Sequence, residues 1–134
     1  LDPGYRRLFV DYLRDYARSE NKTVFLTSHI IQDMERLIDD CIIMDYGSIL
    51  IQQPIETLMK ELRRYTCTVP EGYQPQLPAT CYHPAVIRQT LETYSFLPPM
   101  DVEKLLKESQ VPFTGLQHEN VSLEDAFIGL TGKY

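Results

Sequence analysis

The chain has 134 residues, suited to one domain or one and a half, with 43 % apolar and 24 % charged residues, ordinary for a globular fold. A net charge of −6 argues against nucleic acid, whose binding leans on a basic surface, and no apolar run nears the roughly 20 residues of a membrane span. Cys41, Cys67 and Cys81 are odd in number and far apart with no CxxC pair, which favours free thiols in a reducing cytosol over a disulfide framework or a zinc site.

The chain opens at Leu1 without a methionine, and LDPGYRR lacks the pattern of a signal peptide. A piece of a longer protein is the expectation. Asp2-Pro3 is a helix cap followed by a first-turn proline. Tyr5, Leu8, Phe9, Tyr12, Leu13 and Tyr16 then recur at helical spacing, an aromatic stripe that reads as packing rather than a stacking platform. TVFLT at 23–27 predicts a buried strand, and Ile30, Ile31, Met34, Leu37 and Ile38 a second helix stripe. CIIMD and SILIQ flank Tyr46-Gly47, so 41–52 predicts a hairpin. Pro54 starts a third helix carrying Ile55, Leu58, Met59 and Leu62. A proline-rich composition shift marks a boundary near 65–78. Beyond it the pattern predicts strands around 80–83 and 86–96, a helix at 101–109, a strand at 112–118 and a helix at 122–131. The last helix has Ser122 and Asp125 in a capping-box arrangement and Gly132 as its stop.

His29 stands where the expected strand 23–27 meets the expected second helix, with Ser28 as N-cap. A helix amino end offers unpaired N–H groups and partial positive charge, which suits phosphate. An imidazole there can donate to a phosphate oxygen or hold a water. The competing reading is a satisfied structural histidine beside a strand. A third reading, His29 and Asp33 four apart as metal ligands, lacks the third and fourth ligands such a site needs.

Leu1-Asp2-Pro3, the strand ending Thr27-Ser28-His29, and the run Asp40-Cys41-Ile42-Ile43-Met44-Asp45-Tyr46-Gly47-Ser48-Ile49 follow one another in a fixed order. This set resembles the second half of the nucleotide-binding domain of ABC transporters, and SLEDAFIGLTG at 122–132 resembles the ending of bacterial export-type members. The resemblance is dense over 1–62, sparse over 65–120, and returns at 121–132. It implies an α/β fold: residues 1–64 as the C-terminal part of a P-loop ATPase core, then 65–134 as a small α+β accessory or regulatory domain. It implies that His29 is the H-loop histidine contacting the ATP γ-phosphate, and that Asp2 is the D-loop aspartate at the dimer seam. Asp33 and Glu35 read as solvated helix charges. In the intact subunit the resemblance implies ATP and Mg2+ as cofactors, a second ATP-binding subunit and transmembrane permease subunits as partners, and a cytoplasmic place on the inner face of the membrane.

The family's phosphate loop, signature motif and catalytic carboxylate are not in this sequence. The six glycines are scattered, and no GxxxxGK(S/T) run is present to cradle phosphate. The chain alone is therefore expected neither to turn over ATP nor to bind it tightly, and to self-associate through strands left without neighbours. The alternative is a non-enzymatic regulatory or dimerisation module.

Overall fold

A computed structural model describes residues 2–28, 31 and 34–132. The fold is mixed α/β with two antiparallel sheets, one of two strands and one of four. No helix among the described residues is long and apolar enough to cross a membrane.

Helix α1, Pro3–Ser19, begins as its cap dictates: Asp2 Oδ1 accepts from the Gly4 and Tyr5 N–H groups at 2.9 and 3.0 Å. Its orientation overturns the packing expected for the aromatic stripe. Val10 is the residue it buries, whereas Tyr5, Leu8, Phe9, Tyr12 and Tyr16 are 42–67 % exposed. The helix turns its apolar face to water because the body it packs on, reached through Val10, lies on the other side. Tyr12 and Tyr16 stack on each other at 6.5 Å between ring centroids.

The strand expected at 23–27 does not form. Residues 22–28 are neither strand nor helix, and Phe25 is 83 % exposed. A buried strand draws its backbone hydrogen bonds from neighbours, and no described strand pairs with this segment. Where a second helix is expected, the described residues show a 3-10 turn, Met34–Arg36, and Ile30 lies outside the described residues. Ile31, Met34 and Ile38 pack against the core, half-buried.

The hairpin matches expectation. Strands β1, Asp40–Asp45, and β2, Ser48–Pro54, pair antiparallel from Asp40↔Pro54 to Asp45↔Ser48. Tyr46 and Gly47 both take positive φ, 48° and 75°, the mirror-image turn whose twist suits a two-residue hairpin. Ile43 and Ile51 face each other and are buried, while Ile42, Met44 and Ile49 stay 44–57 % exposed. Helix α2, Ile55–Glu61, follows Pro54 and delivers Leu58 and Leu62 to the same core.

The four-stranded sheet comprises β3 (Arg63–Thr68), β4 (Tyr82–Ile87), β5 (Thr90–Ser95) and β6 (Thr114–Asn120), in the order β4-β5-β3-β6. β3 was not foreseen: composition alone marks its neighbourhood as a boundary, yet it holds the sheet together, pairing with β5 and β6. The single strand expected over 86–96 is two, parted by a turn in which Arg88 takes φ 58°. Helices α3, Pro99–Glu108, and α4, Leu123–Thr131, match their predicted positions within about two residues.

Strand alternation sends the two helices to opposite faces of this sheet. On one, Tyr65, Cys67 and Leu91 meet Val102 and Leu106 of α3. On the other, Tyr94 joins Leu123, Ala126 and Leu130 of α4, together with Ile43 and Ile51 of the hairpin and Leu58 and Leu62. α4 thus packs between the sheet and the elements that precede it.

Candidate functional site

His29, the first sequence-derived site residue, lies outside the described residues, as does Asp33, its partner in the metal reading. Asp2, the second, is described: it is exposed and caps α1. Among the described residues no group of three His, Cys, Asp or Glu could hold a metal ion.

What the chain brings together near Asp2 is a junction of three segments. The α1 start, the segment 31–36 and the start of α4 border a surface cleft of about 380 Å³, lined by Pro3, Arg6, Arg7, Ile31, Glu35, Ser122 and Glu124. Two side chains of the middle segment bind its neighbours. Glu35 Oε1 accepts from the Leu123 N–H at 2.6 Å, at the first turn of α4. Arg36 donates to Asp11 of α1 at 3.2 Å, and Asp11 also pairs with Arg14 at 3.4 Å. Ser122 caps α4 locally, its Oγ accepting from the Asp125 N–H at 3.1 Å. Glu35, expected to be a solvated helix charge, instead holds the Leu123 N–H. Nothing in helical periodicity could pair it with a helix 88 residues away; the one available signal was the helix start at Ser122, which any carboxylate can serve.

Open N–H groups at a helix amino end or in a glycine-rich loop suit phosphate, and several at this junction are already engaged. At α1 the Gly4 and Tyr5 N–H groups are taken by the Asp2 carboxylate. At α4 the Leu123 N–H is taken by Glu35, and Glu124 and Asp125 add negative charge to the first turn. Three carboxylates thus gather at the start of α4, while Arg6 and Arg7 of α1 line the same cleft.

The remaining chemistry-bearing groups are structural. Cys41, Cys67 and Cys81 are free, and burial pushes each thiol upward, away from the thiolate a nucleophile needs. Burial also raises the Tyr65 phenol, whose O–H donates to the Leu97 carbonyl at 2.6 Å. The Arg64 guanidinium is held protonated above its usual range by hydrogen bonds to Glu119 and then Tyr94. His118 tilts against the Tyr65 ring with centroids 5.9 Å apart. None of these groups converges on the cleft.

Comparison with known proteins gives the frame for these features. The chain is 33 % identical over 144 aligned residues to the Nod factor export ATP-binding protein I of Ralstonia nicotianae, covering 99 % of this chain and 44 % of that protein. The corresponding protein of a Rhizobium species is 31 % identical over 140 residues, again 99 % of this chain and 44 % of the relative. An energy-coupling factor transporter ATP-binding protein of Staphylococcus aureus is 36 % identical over 61 residues, covering 46 % of this chain and 21 % of that protein. The chain thus spans less than half the length of these relatives. No family model and no solved structure matches it.

Proposed function

This chain corresponds to a C-terminal part of the ATP-binding subunits of ABC transporters, and from that premise we propose that it belongs to a longer subunit that couples ATP hydrolysis to export. The observation that carries the proposal is the alignment of 99 % of the chain with less than half of export ATP-binding proteins. Matches to energy-coupling and thiamine-import ATP-binding proteins cover only 46 % and 41 % of the chain, which favours export. The outward apolar face of α1, the segment 23–27 with which no described strand pairs, and the exposed side of the hairpin support the reading: each is a surface that upstream polypeptide would cover.

In this proposal residues 1–64 form the second half of the ATPase core and residues 65–134 an accessory domain. His29 meets the outermost phosphate of ATP, and Asp2 stands at the seam between two ATP-binding subunits. The nucleotide cradle and the Mg2+ ligands come from upstream residues. The subunit sits on the cytoplasmic face of the membrane through its permease partners. The chain by itself neither binds ATP tightly nor hydrolyses it, and it self-associates through its uncovered apolar faces.

The test is a magnesium-dependent ATPase assay on the 134-residue chain, on the longer subunit, and on that subunit carrying His29→Ala. The expected result is no turnover from the chain, turnover from the subunit, and a loss of about a hundredfold in the variant, the scale of removing one well-aimed stabilising group. Robust turnover by the 134-residue chain overturns the assignment. Light scattering on the chain tests self-association, and a strict monomer at high concentration removes that part of the proposal.

A further inference from the structure

The contact between Glu35 and α4 joins segments 88 residues apart through a carboxylate–amide bond of 2.6 Å, a charge-assisted type stronger than a neutral pair. α4 does not need it as a cap. Ser122 already serves that end, and Glu124 and Asp125 already complement its dipole. The bond also anchors the other partner, the 3-10 turn Met34–Arg36. Apolar packing reinforces the bond, because Ile31, Met34 and Ile38 rest on the cluster that holds Leu123 and Leu130. The second tie of this segment, Arg36 to Asp11, is a surface pair open to screening.

α4 is in turn fixed on the sheet. Gly129 lies against the Tyr94 ring so closely that a Cβ would collide with it, so a glycine sets the depth at which the helix sits. A continuous set of contacts then runs from the sheet through Tyr94 and Gly129 along α4 to the Leu123 amide and Glu35, six residues after His29 in sequence. Coupling between distant sites travels through such packed, hydrogen-bonded elements.

We infer that Glu35 is a positioning residue: it ties the segment following His29 to the amino end of α4, so that the seating of this helix governs turnover by the assembled subunit. The inference rests on the transporter reading for the part played by His29, but the tie itself does not. It gives the tail helix a regulatory role, since a partner that shifts α4 pulls on Glu35 and the turn Met34–Arg36.

The experiment uses the longer subunit with Glu35→Ala, Glu35→Gln and Ser122→Ala, and reads two quantities: hydrogen exchange at the Leu123 amide, and kcat and KM for ATP. Glu35→Ala is expected to speed Leu123 exchange and to lower kcat, each about tenfold, the usual scale of coupling between sites, with KM within about twofold. Glu35→Gln keeps an acceptor oxygen and is expected to recover most of both. Ser122→Ala removes the local cap of the same helix but keeps the Glu35 bond, and is expected to lower kcat by less than about twofold. Unchanged kcat in Glu35→Ala overturns the inference. An equal kcat loss in Ser122→Ala also overturns it, because fraying of the helix would then explain both. A wild-type subunit without turnover, or full turnover in His29→Ala, sinks the transporter reading instead; Leu123 exchange in Glu35→Ala still reports on the tie.

Discussion

The four-stranded sheet and the elements that precede it treat their apolar side chains in opposite ways. β3 has a hydrogen-bonded strand on each edge, and the sheet has a helix on each face, so Tyr65 and Tyr94 are both buried although they belong to different faces. α1 and the hairpin are each covered on one side only. Val10, Ile43 and Ile51 are buried, while the larger apolar face of α1 and the Ile42 and Met44 side of β1 meet water. Apolar spacing reports which face of an element wants cover. It does not report whether the cover lies in the same stretch of chain, and the difference between these regions is the difference between cover present and cover absent within these 134 residues.

Core truncation is the strongest way to probe that contrast. Leu62 is fully buried, and Leu62→Ala is expected to cost about 2–5 kcal/mol of unfolding free energy. Phe9→Ala, on the outward face of α1, is expected to cost no more than about 0.5 kcal/mol in the 134-residue chain. In the longer subunit, with that face covered, its cost is expected to rise to about 3 kcal/mol. Urea denaturation measures all three; equal costs for the two variants in the short chain would erase the contrast.

A smaller effect is expected at the glycine under α4. Gly129→Ala forces a Cβ into the Tyr94 ring and is expected to cost about 1–3 kcal/mol, the range for overpacking a filled site. Gly47→Ala, where φ is 75° but nothing lies near, is expected to cost about 1 kcal/mol through backbone strain alone. Thermal melts rank the two, and the reverse order would mean that α4 is loosely seated.

The smallest expected effect is on the alkaline side. Burial raises the Cys67 thiol from its ordinary 9.0 and the Tyr65 phenol from its ordinary 10.0. With the folded value above the unfolded one, stability is complete below the ordinary thiol value and falls as pH rises through the folded one. The decline therefore starts near 9.0 with Cys67 and steepens beyond 10.0 with Tyr65. Cys67→Ala should flatten the first part of that slope in pH-dependent melts. Maleimide labelling at neutral pH should reach half-buried Cys41 before Cys67 or Cys81.

Local signals were read well from sequence. The Asp2-Pro3 helix start, the Tyr46-Gly47 turn, the helix after Pro54 and the Ser122 and Gly132 limits of α4 each depend on a few adjacent residues, and each stands where expected. Long-range pairing was not legible. TVFLT has the composition of an inner strand but finds no described neighbour to pair with. Residues 63–68 read Arg-Arg-Tyr-Thr-Cys-Thr with only Tyr65 and Cys67 buried, a pattern too polar to announce the middle of a sheet. The candidate site divides along the same line. Asp2 could be placed from its own neighbours, but the partner of Glu35 depends on where the chain returns after β6, which no local pattern encodes.

The sheet order also bears on how the protein is made. β3 emerges from a ribosome well before β6, so one of its edges stays bare until β6 follows, and Ile43, Ile51, Leu58 and Leu62 wait for α4 to close over them. A nascent chain of this type therefore shows sticky surface until α4 has been made, in the interval when chaperones engage. A premature stop before residue 123 would make that interval permanent, and the shortened product would be a substrate for proteolysis rather than a milder version of the same protein.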